Sequence, residues 1–267
     1  MNIAIGCYYN KTLFDPDYQT NVLDVAETAG FTLPKYKTLQ YQNRLMKDMK
    51  NIGFYQIQDT LANFAIGSLG FEQFGMVDWK KMGNIYTPFG GLIYSPQGIE
   101  GNGVNSYVLT NYNTTTMSYN YTLNNASRGC VSFKSKTYPN INDSLINSVY
   151  GLSAVDTMYD WAGNQKINIW AAGGATLDGS GAGCKILNRT SAAIVNMINK
   201  GSINEASSVS DRLADGIVSL FWRSTSIYSS ANVSIHHLGA AIPYLMSQSF
   251  REIYNQYLSN IGLDPIA

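Results

Sequence analysis

From about residue 56 to residue 240 the chain is written in short apolar runs that no long helix can use. "DTLANFAI", "NSYVLTNYN", "GCVSFKSK", "KINIWAA", "GCKILNRT" and "GIVSLFWRST" are typical of them. Each is rich in Ile, Val, Tyr, Phe, Trp or Thr, and each is closed by Gly, Asn or Ser, the residues of turns. Many short strands in one series predict a mainly β protein, a jelly-roll sandwich whose two sheets bury their facing sides. The spacing of the runs is uneven, which argues against a propeller or a solenoid.

Helical periodicity flanks this region. In "TLPKYKTLQYQNRLMKDMKNIGFY" Thr32 is placed to cap and Pro34 to occupy the first turn, while Leu39, Leu45, Met46, Met49 and Ile52 fall near one face. Gly53 follows, where a left-handed residue ends a helix. A second helix is predicted over about 247–261: Ser247 caps, Phe250, Ile253, Tyr254, Tyr257, Leu258 and Ile261 make one stripe, and Gly262 closes it. Each helix has a single apolar stripe to cover, so the two are expected together at an end or edge of the sandwich. Residues 1–33 have a turn at Asp15-Pro16-Asp17 but no sustained period. They are expected to be a docking and oligomerisation arm, ordered only against a partner, ahead of a domain spanning 34–267.

At 267 residues the chain is long enough for a full core, yet only 13% of it is charged and the formal net charge is +0. Such a surface has no basic face to neutralise phosphates, which excludes nucleic acid as a partner. No run approaches the ~20 apolar residues of a membrane span, so no membrane insertion is expected. The opening Met-Asn-Ile-Ala-Ile-Gly lacks the basic and apolar parts of a secretory signal, and synthesis in a cytoplasm without a secretory address is the expectation. The seven Asn-x-Ser/Thr triplets, Asn113-Thr-Thr115 and Asn120-Tyr-Thr122 among them, then reflect turn composition rather than glycosylation. Cys7, Cys130 and Cys184 are odd in number and widely spaced, which reads as buried thiols.

Catalytic chemistry finds little support. His236 and His237 are adjacent, so in a strand they point to opposite faces and cannot chelate together. No GxSxG elbow is present to supply a nucleophile. In "AAGGATLDGSGAGCK" Lys185 follows Cys184 and precedes Ile186, which breaks the phosphate-loop pattern and leaves a hairpin loop. Glu100, Asp156, Asp160 and Asp178 are the carboxylates a glycosidase could draw on, and Asp178 alone is too little for calcium. No catalytic residue, no metal site and no cofactor are expected; the chain is read as not an enzyme.

Aromatic residues are the remaining resource. Tyr107, Tyr112, Tyr119, Tyr121, Tyr159, Trp161 and Trp170 alternate with polar residues, and flat rings beside amides suit both sugar faces and protein interfaces. Tyr112, Trp161 and Trp170 are the candidate ligand-binding residues. In "GNGVNSYVLTNYN" Gly103 supplies a turn, after which Tyr107 and Leu109 share one face and Val108 and Thr110 the other. The expectation is that Tyr107 and Leu109 face the core.

"FTLPKYKTLQYQNRLMKDMKNIGFY", "FGMVDWKKMG", "GIEGNGVNSYVLTNYN", "SIHHLGAAI" and "SFREIYNQYLSNIGL", in that order, resemble a family of phage and prophage structural proteins. The likeness covers about residues 30–267; Phe54-Tyr55 stands where the family has Ile-Trp. The resemblance implies a concanavalin-like, laminin-G-like sandwich between a helix and a C-terminal amphipathic helix. It also implies a virion appendage such as a head fibre, tail fibre or collar component, in a crAss-like phage on the narrowest reading. Implied partners are capsid, collar or tail proteins met through residues 1–33, sister chains in a dimer or trimer, and host surface glycans. The runner-up readings are a carbohydrate-binding adhesion module and, behind it, a glycan-degrading enzyme.

Overall fold

The computed structural model describes residues 13–133, 143–150, 153–161, 164–169, 175–177, 182–210, 213, 216–224 and 227–266; for 143–177, 223, 224 and 227 it gives strands alone. In chain order the first strands are β1 (Gln58–Asn63), β2 (Thr87–Phe89), β3 (Ile93–Ser95), β4 (Gly98–Glu100), β5 (Tyr107–Asn113) and β6 (Ala126–Ser132). Next come β7 (Asp143–Tyr150), β8 (Ser153–Trp161), β9 (Asn164–Ile169), β10 (Ala175–Leu177), β11 (Gly183–Arg189) and β12 (Ile194–Asn199). The described set ends with β13 (Ser202–Ser207), β14 (Ile217–Leu220), β15 (Trp222–Ser224), β16 (Ile227–Tyr228), β17 (Asn232–Val233) and β18 (Ile235–Gly239). The helices are α1 (Asp24–Thr28), which continues a π-helical stretch over Tyr18–Leu23, α2 (Tyr36–Asn51), the short α3 (Glu72–Gly75) and α4 (Tyr244–Asn260).

Two large antiparallel sheets make the sandwich. One has the order β1-β18-β6-β11-β12-β13 and the other β10-β9-β8-β7-β14-β5-β2. Between them lies a core of Ala62, Cys130, Leu187, Val195, Met197 and Leu238 from the first sheet and Val108, Tyr112, Val218 and Leu220 from the second. Alternate residues of the first sheet, among them Leu61, Val131, Cys184, Ile186 and Ile235, point the other way into a second core built with the helices. A sheet buried on both faces explains why β6 and β11 are buried at every position.

The helices therefore do not sit at an end or edge of the sandwich, as their stripes alone suggested. They cover the outer face of the six-stranded sheet, because that face is as apolar as the inner one and needs a third layer. α2 contributes Leu39, Leu45, Met46 and Met49, and α4 contributes Phe250, Tyr254, Tyr257 and Leu258. Phe54, just past α2, stacks on Phe250 at 4.1 Å and 3°. Gly53 and Gly262 end the two helices at φ 79° and 82°, as the sequence requires. Their starts differ from expectation. Lys35 and Pro243, both extended near ψ 145°, are the last non-helical residues, so Pro34 lies outside α2 and Ser247 lies inside α4, its hydroxyl donating to the Tyr244 carbonyl at 2.6 Å.

The N-terminal expectation is also revised for residues 13–33. Phe14, Tyr18, Val22, Leu23 and Ala26 are buried in the helical core of their own chain. The Tyr18 hydroxyl donates to Gln42 Oε1 at 2.8 Å, and Gln42 Nε2 reaches the Tyr257 hydroxyl at 3.3 Å, so one buried amide ties three helices. Lys50 pairs with both Asp15 and Asp17, fixing the turn that opens the segment. The apolar residues of 13–33 are too irregular to show a period but are enough to pack once α2 and α4 supply a surface. Residues 1–12 lie outside the described part.

Candidate functional site: an aromatic platform

The adjacent histidines take opposite faces of β18 and are both engaged. His237 meets Gln58 Oε1 at 3.1 Å and packs in a T-shaped arrangement with the Phe54 ring, centroids 5.1 Å apart. His236 Nδ1 meets the Tyr86 hydroxyl at 3.1 Å. That hydroxyl meets Thr60 Oγ1 at 2.7 Å, and Thr60 donates to the buried Asp78 carboxylate at 2.6 Å. Burial pushes the pKa of His237 down to about 3 and that of His236 well below the usual range, so both rings are neutral and structural. Among the described residues no three His, Cys, Asp or Glu side chains converge as a metal site would require.

The candidate ligand residues divide. Tyr112 is buried between the sheets, where its hydroxyl donates to Asp59 Oδ2 at 2.9 Å. Asp59 also accepts the backbone N–H groups of Tyr119, Asn120 and Tyr121 at 2.8–3.0 Å, so the pair fixes a loop and offers nothing to a ligand. Trp161 ends β8 and is known by strand position alone; Trp170 lies outside the described residues. Of the carboxylates, Glu100 is half-buried on β4, Asp156 and Asp160 are placed only along β8, and Asp178 falls outside the described part, as does most of "AAGGATLDGSGAGCK".

β5 supplies the surface instead, and in the phase opposite to the expected one. Its burial alternates so that Val108, Thr110 and Tyr112 are inside while Tyr107, Leu109 and Asn111 face outward. Both faces of this strand carry large apolar side chains, so its own pattern cannot choose between them. The choice is made by β14, which sets Val218 and Leu220 against the Val108 face.

On the outer face Tyr107 gathers three rings. Phe89 is its cross-strand partner on β2 and stacks on it at 4.6 Å and 11°. Trp222 lies 5.2 Å away and Tyr228 6.3 Å away, and these two are themselves opposite one another in the β15–β16 pair. Phe89 is 38% exposed and the other three rings are partly exposed. Trp222 reaches this face through a local break in alternation. Leu220 and Phe221 are both fully buried, and Phe221 adopts φ 66°, a left-handed conformation that is strained for an aromatic residue. Without that turn of the chain Trp222 would share the inward face of Leu220. Sequence reasoning passed over Phe89, Trp222 and Tyr228. The available signal was "SLFWRS", where alternation fails at two consecutive aromatics.

A polar loop frames the rings. Gly101 and Gly103 N–H groups donate to the carbonyls of Ala231 and Ser229, both at 3.1 Å, which carries the β4–β17 pairing toward Tyr228. The Asn102 side-chain oxygen then accepts from the N–H groups of Val104, Asn105 and Ser106 at 2.9–3.1 Å, folding the loop tip back into β5. Gly103 has φ 70°, the turn conformation the sequence called for. Gly90, after Phe89, has φ 67° and lies so close to the loop that an added Cβ would sit 2.5 Å from the Asn105 carbonyl oxygen. Asn111 fixes the far end of β2, donating to the Ile85 carbonyl at 2.7 Å and to Thr87 Oγ1 at 2.9 Å.

No protein-family model and no curated sequence matches this chain. Solved structures match it by shape. Trypanosoma rangeli sialidase in complex with sialic acid superposes with TM-score 0.56 at 12% identity, over 85% of this chain and 40% of that one. The receptor binding domain of botulinum neurotoxin C/D mosaic serotype matches with TM-score 0.51 at 9% identity, over 74% of this chain and 52% of that one. The botulinum neurotoxin serotype D binding domain gives TM-score 0.51 at 10% identity, over 77% and 52%. The chain thus spans 40 to 52% of the length of these proteins. At such identities the likeness establishes the fold alone, a β-sandwich.

Proposed function

We propose that this chain is a non-enzymatic recognition module of a bacteriophage virion appendage, a head fibre, tail fibre or collar component that holds host-surface glycans on the rings of Phe89, Tyr107, Trp222 and Tyr228. The observation that carries the reading is the ring cluster itself. Four aromatic side chains are assembled by two cross-strand pairs, one on the outer face of the seven-stranded sheet whose inner face supplies the core and one in the separate two-stranded sheet of β15 and β16 beside it. Partly exposed rings in register give flat apolar area at low conformational cost, the property that recognition surfaces select. The fold is one used by a sialidase bound to sialic acid and by toxin domains named for receptor binding, which supports a glycan or receptor ligand.

The virion assignment draws on the ordered motifs "FTLPKYKTLQYQNRLMKDMKNIGFY" to "SFREIYNQYLSNIGL". Attachment to other virion proteins, in a dimer or trimer, is assigned to the N-terminal region, where Leu13 is exposed and Thr20, Val25, Met82 and Ile85 line an apolar groove of about 350 Å³. Two experiments test the proposal. Labelled protein should coat host cells and lose them after periodate treatment of their surface sugars, and an antibody to the chain should decorate intact particles. Protein that coats periodate-treated cells equally well, or particles that stay unlabelled, contradicts the corresponding half.

A further inference from the structure

We infer that Tyr119 is the knob by which copies of this chain join, and that it seats in the apolar groove beside α1 of a sister chain. This rests on the reading of that groove as a meeting place of sister chains and names what fills it. At 88% exposure Tyr119 is the most exposed large hydrophobic side chain among the described residues. Its backbone, by contrast, is fixed. Asp59 accepts the Tyr119 N–H at 3.0 Å and those of Asn120 and Tyr121 at 2.8 Å, Asn120 Nδ2 donates to the Gln56 and Gln58 carbonyls at 3.3 and 3.2 Å, and Ser118 Oγ donates to the Thr114 carbonyl at 2.5 Å. A ring held out on a fixed loop loses little freedom when a partner covers it, which is what makes tyrosines effective interface anchors.

The groove is the counterpart. Thr20, Asp24, Val25 and Thr28 line it from the N-terminal helix, and Met82 and Ile85 line it from the turn before β2. Its two walls are tied to one another: Asn21 Nδ2 donates to the Trp79 carbonyl at 3.1 Å, and Tyr18 packs T-shaped with Trp79, centroids 5.6 Å apart. Buried Asp78 then pins the turn, accepting from the N–H groups of Lys80 and Lys81 at 2.8 and 3.2 Å and from Asn84 Nδ2 at 2.9 Å. The space is therefore preformed. At about 350 Å³ it exceeds the voids of ordinary packing and reaches the size of ligand sites, with room for a ring. Thr20, Asp24 and Thr28 bring oxygen acceptors for a phenol O–H, and Met82, 70% exposed, brings a thioether that packs well on an aromatic ring. So exposed a ring as Tyr119 is not seated in its own chain's groove, and a contact between the two features joins two copies. A formal net charge of +0 lets copies approach without mutual repulsion. Each copy offers one knob and one groove, so the contacts close as a reciprocal dimer or a ring of three.

The test is sedimentation-equilibrium mass measurement of the whole protein from ~1 to ~100 µM, a range that brackets a micromolar contact. The parent should assemble as a dimer or trimer. Tyr119→Ala and Met82→Glu change exposed side chains and should stay folded by circular dichroism, yet each should weaken assembly at least about tenfold; Tyr119→Phe, which keeps the ring, should lose less. The two weakened variants mixed one to one should form a pair, because one brings an intact groove and the other an intact knob. Assembly lost in only one of the two overturns the inference, and leaves the groove as the meeting place where that one is Met82→Glu. Weakened variants whose mixture does not pair put the seat of the knob elsewhere and also overturn it. A parent that stays monomeric, or assembly indifferent to both substitutions, overturns the reading of the groove itself.

Discussion

Replacing Tyr107 by alanine separates a ring on the outer face from a ring in the core. Its neighbours are Phe89, Trp222 and Tyr228 at 4.6, 5.2 and 6.3 Å, and each aromatic pair of this kind contributes about 0.5–1.5 kcal/mol. The ring is partly exposed, so its removal opens a notch that water fills, and the cavity penalty of a sealed core does not apply. The expected loss is about 1–2.5 kcal/mol, which for a domain of this size lowers Tm by roughly 2–10 °C. Tyr112→Ala, five residues along β5 and on its inner face, removes a fully buried ring and strands Asp59, and should cost about 3–5 kcal/mol. Urea unfolding followed by circular dichroism measures both, with glycan binding measured on the same samples. Tyr107→Ala should be folded and defective in binding, and Tyr112→Ala defective in folding. The reverse order of the two losses would refute the face assignment of β5.

Three further outcomes are expected. Stability should fall as pH drops from about 6.5 toward 3, at up to ~1.4 kcal/mol per pH unit for each buried histidine, because the unfolded chain takes up protons that His236 and His237 refuse in the folded state. Urea midpoints that stay flat between pH 7 and 5 would contradict this, and His237→Gln should remove part of the slope. Gly90→Ala should weaken glycan binding without altering any ring, since the new Cβ must push the Asn105 backbone away at a residue already at φ 67°; a crystal structure showing Phe89 undisplaced would rule that route out. Asp59→Ala should cost about 2–4 kcal/mol by leaving the Tyr112 hydroxyl and three N–H groups of the 119–121 loop without their acceptor, and hydrogen exchange at those amides should quicken; unchanged exchange would show that the loop holds itself.

The sandwich, both long helices and their glycine ends were legible because each rests on local physics: strand-forming residues between turn residues, one apolar stripe per helix, and a left-handed residue past the last turn. What escaped depends on partners distant in sequence. The phase of β5 was undecidable from "YVLTNYN", since Tyr107 with Leu109 and Val108 with Tyr112 are equally good inner faces until β14 selects one. Placement of α2 and α4 was missed because the outward residues of the six-stranded sheet, such as Leu61, Val131 and Ile186, belong to strands far apart in the chain. The same holds for the platform. Phe89, Tyr107, Trp222 and Tyr228 span some 140 positions, and only strand pairing brings them together.

The account stands on these four rings as the binding surface, and ligand-detected saturation-transfer NMR tests that most directly. An oligosaccharide is mixed with the protein, the aromatic protons are saturated, and the transfer to each sugar hydrogen is read. Transfer should be strongest at the hydrogens of one pyranose face and should collapse in Phe89→Ala and Trp222→Ala proteins that remain folded. Transfer of undiminished strength in both folded variants would contradict the central claim.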